Sequence, residues 1–272
     1  MTTPGNQTPG AKPSRIARGI PLRTVMPNAV TALALCFGLT GVRFAISGEW
    51  DKAVGAIMVA GILDGLDGRV ARLLRAESRF GAELDSLSDV IAFGVSPAVI
   101  LYLWSLSFVP KYGWVIALAH AVCCALRLAR FNAQIDTETH PRKSAGFLTG
   151  VPAPAGAGMA LLPLIAWLAL GEAGLPHIQA VFQRTYLVAP WTILVALLMI
   201  SDLATYGWSS FRLRREMRLP ALLFIGLGGA ALLTAPWATL AVLILLYAAA
   251  IPLAVRGYAR VKRRRAAERI AA

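Results

Sequence analysis

Long apolar stretches recur along the whole chain, and they constrain its fold more than any other feature. Hydrophobic residues make up 57% of the 272 residues and charged residues only 15%, whereas about 25% charged is usual in a soluble domain. A helix needs about 20 consecutive apolar residues to cross a bilayer. The sequence therefore predicts an all-α polytopic membrane protein with eight spans, at residues 28–46, 53–74, 82–106, 112–131, 152–170, 185–201, 219–234 and 237–255.

The distribution of Lys and Arg predicts the orientation of these spans. With the N-terminus in the cytoplasm, 23 of the 27 basic residues fall on the cytoplasmic side, where basic residues of membrane proteins concentrate. This bias accounts for the net charge of +13 better than nucleic-acid binding does, so no nucleic-acid partner is expected. We expect a multi-pass protein of the inner or cell membrane with both termini in the cytoplasm.

The chain is predicted to have three parts. Residues 1–27 start rich in Thr, Pro and Gly and become basic, which predicts a cytosolic segment that is first disordered and then interfacial. Residues 28–255 form the predicted transmembrane domain. Residues 256–272 form a basic cytosolic tail, which is suited to contact with anionic lipid headgroups.

Four aspartates stand inside the second and third predicted spans, where ionised side chains are costly. An Asp at the centre of a membrane helix costs about 2.5–3.5 kcal/mol on insertion scales, and four together repel one another unless cations lie between them. Asp64 and Asp67 are three residues apart and Asp85 and Asp89 are four apart, so each pair shares one helix face. Residues 75–80 are polar enough to form a turn, and short connections make neighbouring helices antiparallel. Both pairs are therefore expected to face each other just inside the cytoplasmic boundary.

The carboxylate donor set predicts a metal site at the membrane. Hard divalent cations prefer oxygen ligands, so Mg²⁺ or Mn²⁺ is expected, Ca²⁺ also fits, and four carboxylates suffice for two ions. Such a site suggests chemistry on a lipid phosphate. A membrane prenyltransferase and an ion transporter with intramembrane acids are the alternative classes. The structural alternative is a salt-bridged bundle in which the aspartates pair with Arg69, Arg72, Arg75 or Arg79.

Glycines flank the aspartates and allow close approach of another group. Small residues let membrane helices pack closely, and this is the expected role of Gly61 and Gly65. Gly68 and Gly81 lie next to the acids, and close approach of a ligand is expected there.

The fixed positions of this region read Asp64-x-x-Asp67-Gly68-x-x-Ala71-Arg72, eight residues, Gly81-x-x-x-Asp85-x-x-x-Asp89. The pattern resembles the signature of the CDP-alcohol phosphatidyltransferase family at every fixed position. The resemblance implies a six-helix membrane core, here followed by two further C-terminal transmembrane helices. It also implies a homodimer with its active site open to the cytosol. The implied activity is metal-dependent transfer of a phosphatidyl or phospho-alcohol group from a CDP-linked donor, with release of CMP.

The resemblance also implies roles for individual residues. The four aspartates match the family's metal ligands, and Asp89 also matches its general base. The residues expected to contact CDP-diacylglycerol are Asn28, Thr31, Gly68, Ala71, Arg72, Ser78 and Gly81. A helix cap is an equally good role for Asn28.

Three further stretches, residues 85–98, 127–132 and 150–157, resemble the branch of the family that uses serine. The resemblance implies L-serine as the acceptor, with glycerol 3-phosphate and inositol as alternatives within the family. A serine carboxylate favours a bidentate arginine. The expected pocket residues are Arg127, Arg130 and Lys143, and the alternative role of these side chains is snorkelling at the inner interface.

Overall fold

Helices of membrane-spanning length dominate the structure. The computed structural model describes residues 22–133, 147–206 and 217–271. A π-helical segment (Val90–Val95) joins α3 to α4, and a 3₁₀ turn (Leu106–Phe108) follows α4. The helices are α1 (Leu22–Ile46), α2 (Trp50–Leu74), α3 (Arg79–Asp89), α4 (Ser96–Trp104), α5 (Pro110–Ala133), α6 (Ala153–Glu172), α7 (Pro176–Phe182), α8 (Thr185–Ile200), α9 (Arg218–Thr234) and α10 (Pro236–Ala271). The predicted class, a helical polytopic membrane protein, is confirmed.

The eight predicted spans all correspond to helices, but not all of these helices could cross a membrane alone. Within the described ranges, five helices are long and apolar enough, and α7 with α8, bent by 49°, makes a sixth if the pair is one span. The helix at Leu219–Thr234 is shorter. α2 has 25 residues, but its uncharged stretch runs only from Ala53 to Leu63. The aspartates near the C-terminal end of α2 therefore make it less apolar than its length suggests.

Several helix ends differ from the predicted ones. α1 begins at Leu22, six residues before the predicted span, whereas residues 1–21 lie outside the described part of the chain. α10 continues through the predicted boundary at residue 255 as far as Ala271. At about 1.5 Å per residue, its 36 residues exceed the roughly 30 Å of a bilayer core. The basic tail is therefore a helical continuation of the last span.

α1 is the helix on which the half of the protein that carries the aspartates is assembled. It packs along α2, along α3 and along the π-helical segment. Two glycines make this packing close. A Cβ atom on Gly38 would lie 2.7 Å from the Cα of Ala92, and one on Gly41 would lie 3.1 Å from the carbonyl oxygen of Ala53. Small residues thus bring these backbones together, as they do between other membrane helices.

A two-stranded antiparallel ladder was not predicted. β1 (Phe147–Thr149) pairs with β2 (Ala204–Tyr206), with Leu148 opposite Thr205. Three residues are too few to show an alternating pattern in a sequence. The ladder joins the start of α6 to the segment that follows α8. It is the single exception to the all-helical prediction in the part of the chain that the structure describes.

The apolar core lies among α2, the π-helical segment, α4 and α6. Its largest fully buried side chains include Ile57, Phe93, Trp104 and Leu161. The outer faces of α9 and α10 instead expose Leu, Ile and Phe side chains. Lipid tails are as apolar as Leu, so such faces are suited to contact with the bilayer.

Gly38→Ala is expected to destabilise the protein by about 1–3 kcal/mol, because overpacking forces backbones apart. The added methyl would meet the Ala92 backbone. Gly55→Ala is the matched control, because a Cβ there meets no described atom within 4 Å and Ala is the better helix former. Thermal unfolding of both variants in detergent measures the difference. Equal melting temperatures would contradict the close contact between α1 and the π-helical segment.

Candidate active site at the acidic cluster

The turn between α2 and α3 sets the separation of the two aspartate pairs. It covers residues 75–78, two fewer than predicted. Arg75 ends α2 in a left-handed conformation with φ of 49°. Ser78 begins α3 as its N-cap, and its Oγ accepts a hydrogen bond from the Gly81 N–H at 3.0 Å. The Ser78 hydroxyl, expected to contact the nucleotide, therefore serves here as a helix cap.

Three of the four aspartates converge, as the helix-face argument predicted. Asp64, Asp67 and Asp85 each offer one carboxylate oxygen, and these oxygens lie within 4.8 Å of one another. Ligand oxygens lie about 2.0–2.6 Å from Mg²⁺ or Ca²⁺, so oxygens on opposite sides of one ion are about 4–5 Å apart. The cluster therefore fits a divalent cation both in its donor chemistry and in its dimensions.

Asp89 lies beside this group rather than within it. Its carboxyl group is within hydrogen-bond reach of Asp64 and also faces Arg127 on α5. Asp89 is the last residue of α3, directly before the π-helical segment. π-helical segments occur frequently at functional sites.

The π-helical segment depends on a proline and a buried histidine. Pro97 has no N–H to offer the Phe93 carbonyl four residues earlier. The Nε2 atom of His120 lies 3.4 Å from that carbonyl oxygen, and His120 is fully buried. A carbonyl only accepts, so Nε2 is the protonated nitrogen. His120 of α5 thus donates a hydrogen bond to the Phe93 carbonyl oxygen, to which Pro97 cannot donate one.

A hydrogen bond from α1 holds one aspartate of the cluster. The Thr31 hydroxyl donates to Oδ2 of Asp67 at 2.7 Å, and both residues are buried. The Ser88 hydroxyl donates to the Thr31 carbonyl oxygen at 3.2 Å. Thr31, which the family resemblance placed beside the nucleotide, therefore orients Asp67 and joins α1 to α2 and α3.

Asn28 and Gly81, two residues of the predicted donor site, lie against each other where α1 meets α3. Asn28 lies inside α1 rather than at its start, so the alternative role of a helix cap is wrong. A Cβ on Gly81 would lie 2.9 Å from Oδ1 of Asn28 and 3.1 Å from Oγ of Ser78. Gly81 thus allows α3 to approach α1, which is a packing role rather than direct evidence of a ligand.

The surface of α2 is open next to the aspartates. A Cβ on Gly65 or on Gly68 would meet no described atom within 4 Å. Arg72 is exposed on the same helix, and Ala71 is half-buried. No helix of the described chain packs on Gly65, so its predicted packing role is wrong. These residues leave room beside the carboxylates for a large ligand.

The salt-bridged alternative for the aspartates is also wrong. Among the side chains that the structure describes, ion pairs join Lys52 to Glu49 and Arg130 to Asp202, and neither pair includes an aspartate of the cluster. The nearby arginines that could have paired with the cluster do not do so; they are Arg69, Arg72, Arg75 and Arg79.

The structure describes two of the three residues predicted to bind a serine carboxylate, and it separates them. Arg127 is half-buried and interacts electrostatically with Asp89 and Asp64. Arg130, one turn further along α5, forms its ion pair with Asp202, and both side chains are largely exposed. Lys143 lies outside the described residues. Arg127 is therefore the member of this set that the structure brings to the cluster.

Other residues beside the cluster were not predicted. Asn132 donates from Nδ2 to Oγ of Ser86 at 2.9 Å and joins the end of α5 to α3. It ends the stretch 127–132, so a signal for it was present in the sequence. Tyr247, on α10, lies next to Arg127 and Thr205. The last two predicted spans carry no pattern that could have indicated Tyr247.

The fold and the acidic cluster define a polytopic membrane protein with a carboxylate site suited to a divalent metal. The sequence profile described as CDP-alcohol phosphatidyltransferase matches residues 24–183, and that described as CDP-alcohol phosphatidyltransferase 2 matches residues 216–252. The chain belongs to the CDP-alcohol phosphatidyltransferase family, a family that depends on divalent metal. The second match covers all of α9 and part of α10, where the sequence alone showed no family pattern.

Curated relatives cover most of the chain. The CDP-diacylglycerol–serine O-phosphatidyltransferase of Mycobacterium tuberculosis (strain ATCC 25618 / H37Rv) is 38% identical over 239 residues, which is 88% of this chain and 80% of the relative. The protein of that name from Mycobacterium leprae is 39% identical over 231 residues, 85% of this chain and 74% of the relative. The one from Helicobacter pylori (strain ATCC 700392 / 26695) is 31% identical over 203 residues, 75% and 81% of the two chains.

Asp85→Asn is expected to weaken the binding of Mn²⁺ by roughly tenfold or more, because an amide brings no charge to the cation. Titration of the purified protein with Mn²⁺, followed by electron paramagnetic resonance of the free ion, measures this affinity without turnover. Glu83→Gln is the matched control, an exposed acid on the same helix, and should bind Mn²⁺ as the parent does. Equal affinities for all three proteins would exclude Asp85 from a metal site.

Proposed function

We propose that this chain transfers the phosphatidyl group of CDP-diacylglycerol to L-serine and releases CMP, so that phosphatidylserine is formed. The observation that carries the proposal is the convergence of three carboxylates beside an open helix face. The choice of serine is supported by the names of the curated relatives, which match 88% of the chain at 38% identity.

The aspartates form the donor side of the proposed site. Asp64, Asp67 and Asp85 would hold Mg²⁺ or Mn²⁺, and with Asp89 they offer enough ligands for two ions. When bound there, the metal supplies positive charge that neutralises the diphosphate of the donor. The open face around Gly68 takes the CDP group in this proposal. Arg72 adds a guanidinium that stays protonated and suits phosphate oxygens.

Asp89 is the proposed general base. The hydroxyl oxygen of serine attacks the phosphorus that carries diacylglycerol, and a new P–O bond forms. The bond from that phosphorus to the CMP oxygen breaks, so CMP leaves with the bonding electron pair. A serine hydroxyl is a weak nucleophile, and its proton passes to the Asp89 carboxylate as attack proceeds. The position of Asp89 at the edge of the three-carboxylate group leaves it accessible to an acceptor.

Arg127 is the proposed partner of the serine carboxylate. It faces Asp89 across the site from α5, so a bound acceptor would have its carboxylate at Arg127 and its hydroxyl toward the base. A guanidinium offers two parallel N–H donors to a carboxylate. Arg130 already forms an ion pair with Asp202, which makes it the weaker candidate.

The orientation in the membrane and the assembly are part of the same proposal. The distribution of basic residues favours a cytoplasmic position for both termini and for the acidic cluster. Homodimerisation stays a prediction from the family resemblance.

The acceptor is tested by offering three alcohols separately to the purified protein. With labelled CDP-diacylglycerol and Mn²⁺ or Mg²⁺, we expect CMP release with L-serine and none above background with glycerol 3-phosphate or inositol. Thin-layer chromatography of the lipid product distinguishes the three possible outcomes. Release of CMP with inositol alone would remove the serine assignment. No release with any acceptor from folded protein would remove the transferase proposal for this chain.

Asp89→Asn is expected to lower kcat by about 10²–10⁴, the usual contribution of a general base. Stabilisation of the variant against heat by CDP-diacylglycerol should persist, because the other three aspartates are intact. Asp51→Asn, an exposed acid at the far end of α2, is the control and should leave kcat unchanged. Parental turnover by Asp89→Asn would exclude this residue as the base.

A further inference from the structure

The last helix contributes a residue to the acceptor side of the acidic cluster. α10 packs against α6 and against β2. This packing brings the Tyr247 side chain within reach of Thr205 and within electrostatic range of Arg127. Tyr247 is half-buried within its helix, and its hydroxyl oxygen is fully buried. Tyr247, a residue of the eighth predicted span, thus lies near the arginine that interacts electrostatically with Asp89 and Asp64.

The Arg127 guanidinium is only partly engaged by the protein. Its Nε is buried and has no hydrogen-bond partner among the described residues. The same guanidinium faces Asp89 and Asp64. Arginine has five N–H donors in one rigid plane, so a contact at Nε fixes the directions of the other four. A partner at Nε would therefore determine how Arg127 presents its outer nitrogens to the cluster.

The Tyr247 hydroxyl has the chemistry to be that partner. It approaches Thr205 but makes no hydrogen bond of good geometry within the described part of the chain. The Thr205 hydroxyl already donates to the Gly150 carbonyl oxygen at 2.8 Å. A tyrosine hydroxyl can accept from an N–H and donate to another oxygen at the same time. Two buried polar groups with complementary roles thus interact electrostatically, and each lacks a hydrogen-bond partner within the described part of the chain.

We propose that Tyr247 is a positioning residue for Arg127: its hydroxyl accepts the Nε–H when the acceptor binds and turns the guanidinium edge toward the acceptor carboxylate. This inference rests on the proposed function, because it assigns Arg127 to the acceptor. It gives the C-terminal helices a place in the reaction. Tyr247 acts through Arg127 and does not touch the reacting atoms.

Steady-state kinetics of Tyr247→Phe tests the proposal. Loss of one hydrogen bond to a charged group is expected to raise the KM for serine about tenfold to 150-fold, with the KM for CDP-diacylglycerol and the melting temperature unchanged. Tyr102→Phe is the matched control. Tyr102 packs edge-on against Trp114 at 5.2 Å between ring centroids, and the loss of its hydroxyl should change neither KM.

A double-mutant cycle separates positioning from direct contact with serine. In an Arg127→Lys background the guanidinium plane is absent, so adding Tyr247→Phe should change the KM for serine by less than twofold. Three results would overturn the inference: an unchanged KM for serine in Tyr247→Phe, an equal rise in both KM values, or a full additional effect in the Arg127→Lys background. An equal rise would indicate a general structural role, and a full additional effect would indicate that Tyr247 contacts the acceptor itself.

The same measurements distinguish failure of this inference from failure of the proposed function. If the parent protein releases CMP with glycerol 3-phosphate instead of serine, the serine assignment is lost. The rise in KM is then still required for that acceptor, because its phosphate would occupy the anion position at Arg127. If the parent uses serine and Tyr247→Phe has the same KM values as Tyr102→Phe, the proposed function is supported and the positioning role of Tyr247 is excluded.

Discussion

Mutual repulsion among carboxylates in a medium of low polarity is the constraint around which this protein is organised. Charges repel more strongly where water is scarce, and an ionised Asp is costly within a membrane helix. Helices α2 and α3 nevertheless bring Asp64, Asp67 and Asp85 together. No arginine forms an ion pair with them in the described residues. Such an arrangement needs cations or protons in the site, which is why the cluster indicates function more strongly than any single residue does.

α1 is what holds the cluster in shape before any ligand binds. Its Thr31 hydroxyl donates a hydrogen bond to Asp67, and its Thr31 carbonyl oxygen accepts one from the Ser88 hydroxyl. Asn28 of the same helix meets Gly81 at the start of α3. Three contacts from one helix thus fix both arms of the acidic motif. Thr31, which the family resemblance predicts to lie beside a nucleotide, thus orients a carboxylate of the cluster in this structure.

Much of the fold and the centre of the site could be predicted from the sequence, for identifiable physical reasons. Apolar runs near bilayer length predict helices, and spacings of three and four predict that aspartates share a face. The ladder of β1 and β2 could not be predicted, because three residues carry no period. The separation of Arg127 from Arg130 could not be predicted either. Both lie three residues apart on α5, and only the tertiary position of Asp202 decides which of them is engaged elsewhere.

The β1–β2 ladder keeps its form through its backbone rather than through its side chains. Backbone N–H and C=O groups pair across it whatever the side chains are, and a slip of one residue would turn Thr205 to the other face. Gly150, directly after β1, has φ of +70°, and a Cβ there would lie 2.8 Å from the Met199 carbonyl oxygen. Exchange of residues along the two strands is therefore compatible with the same backbone path, whereas a side chain at position 150 is not.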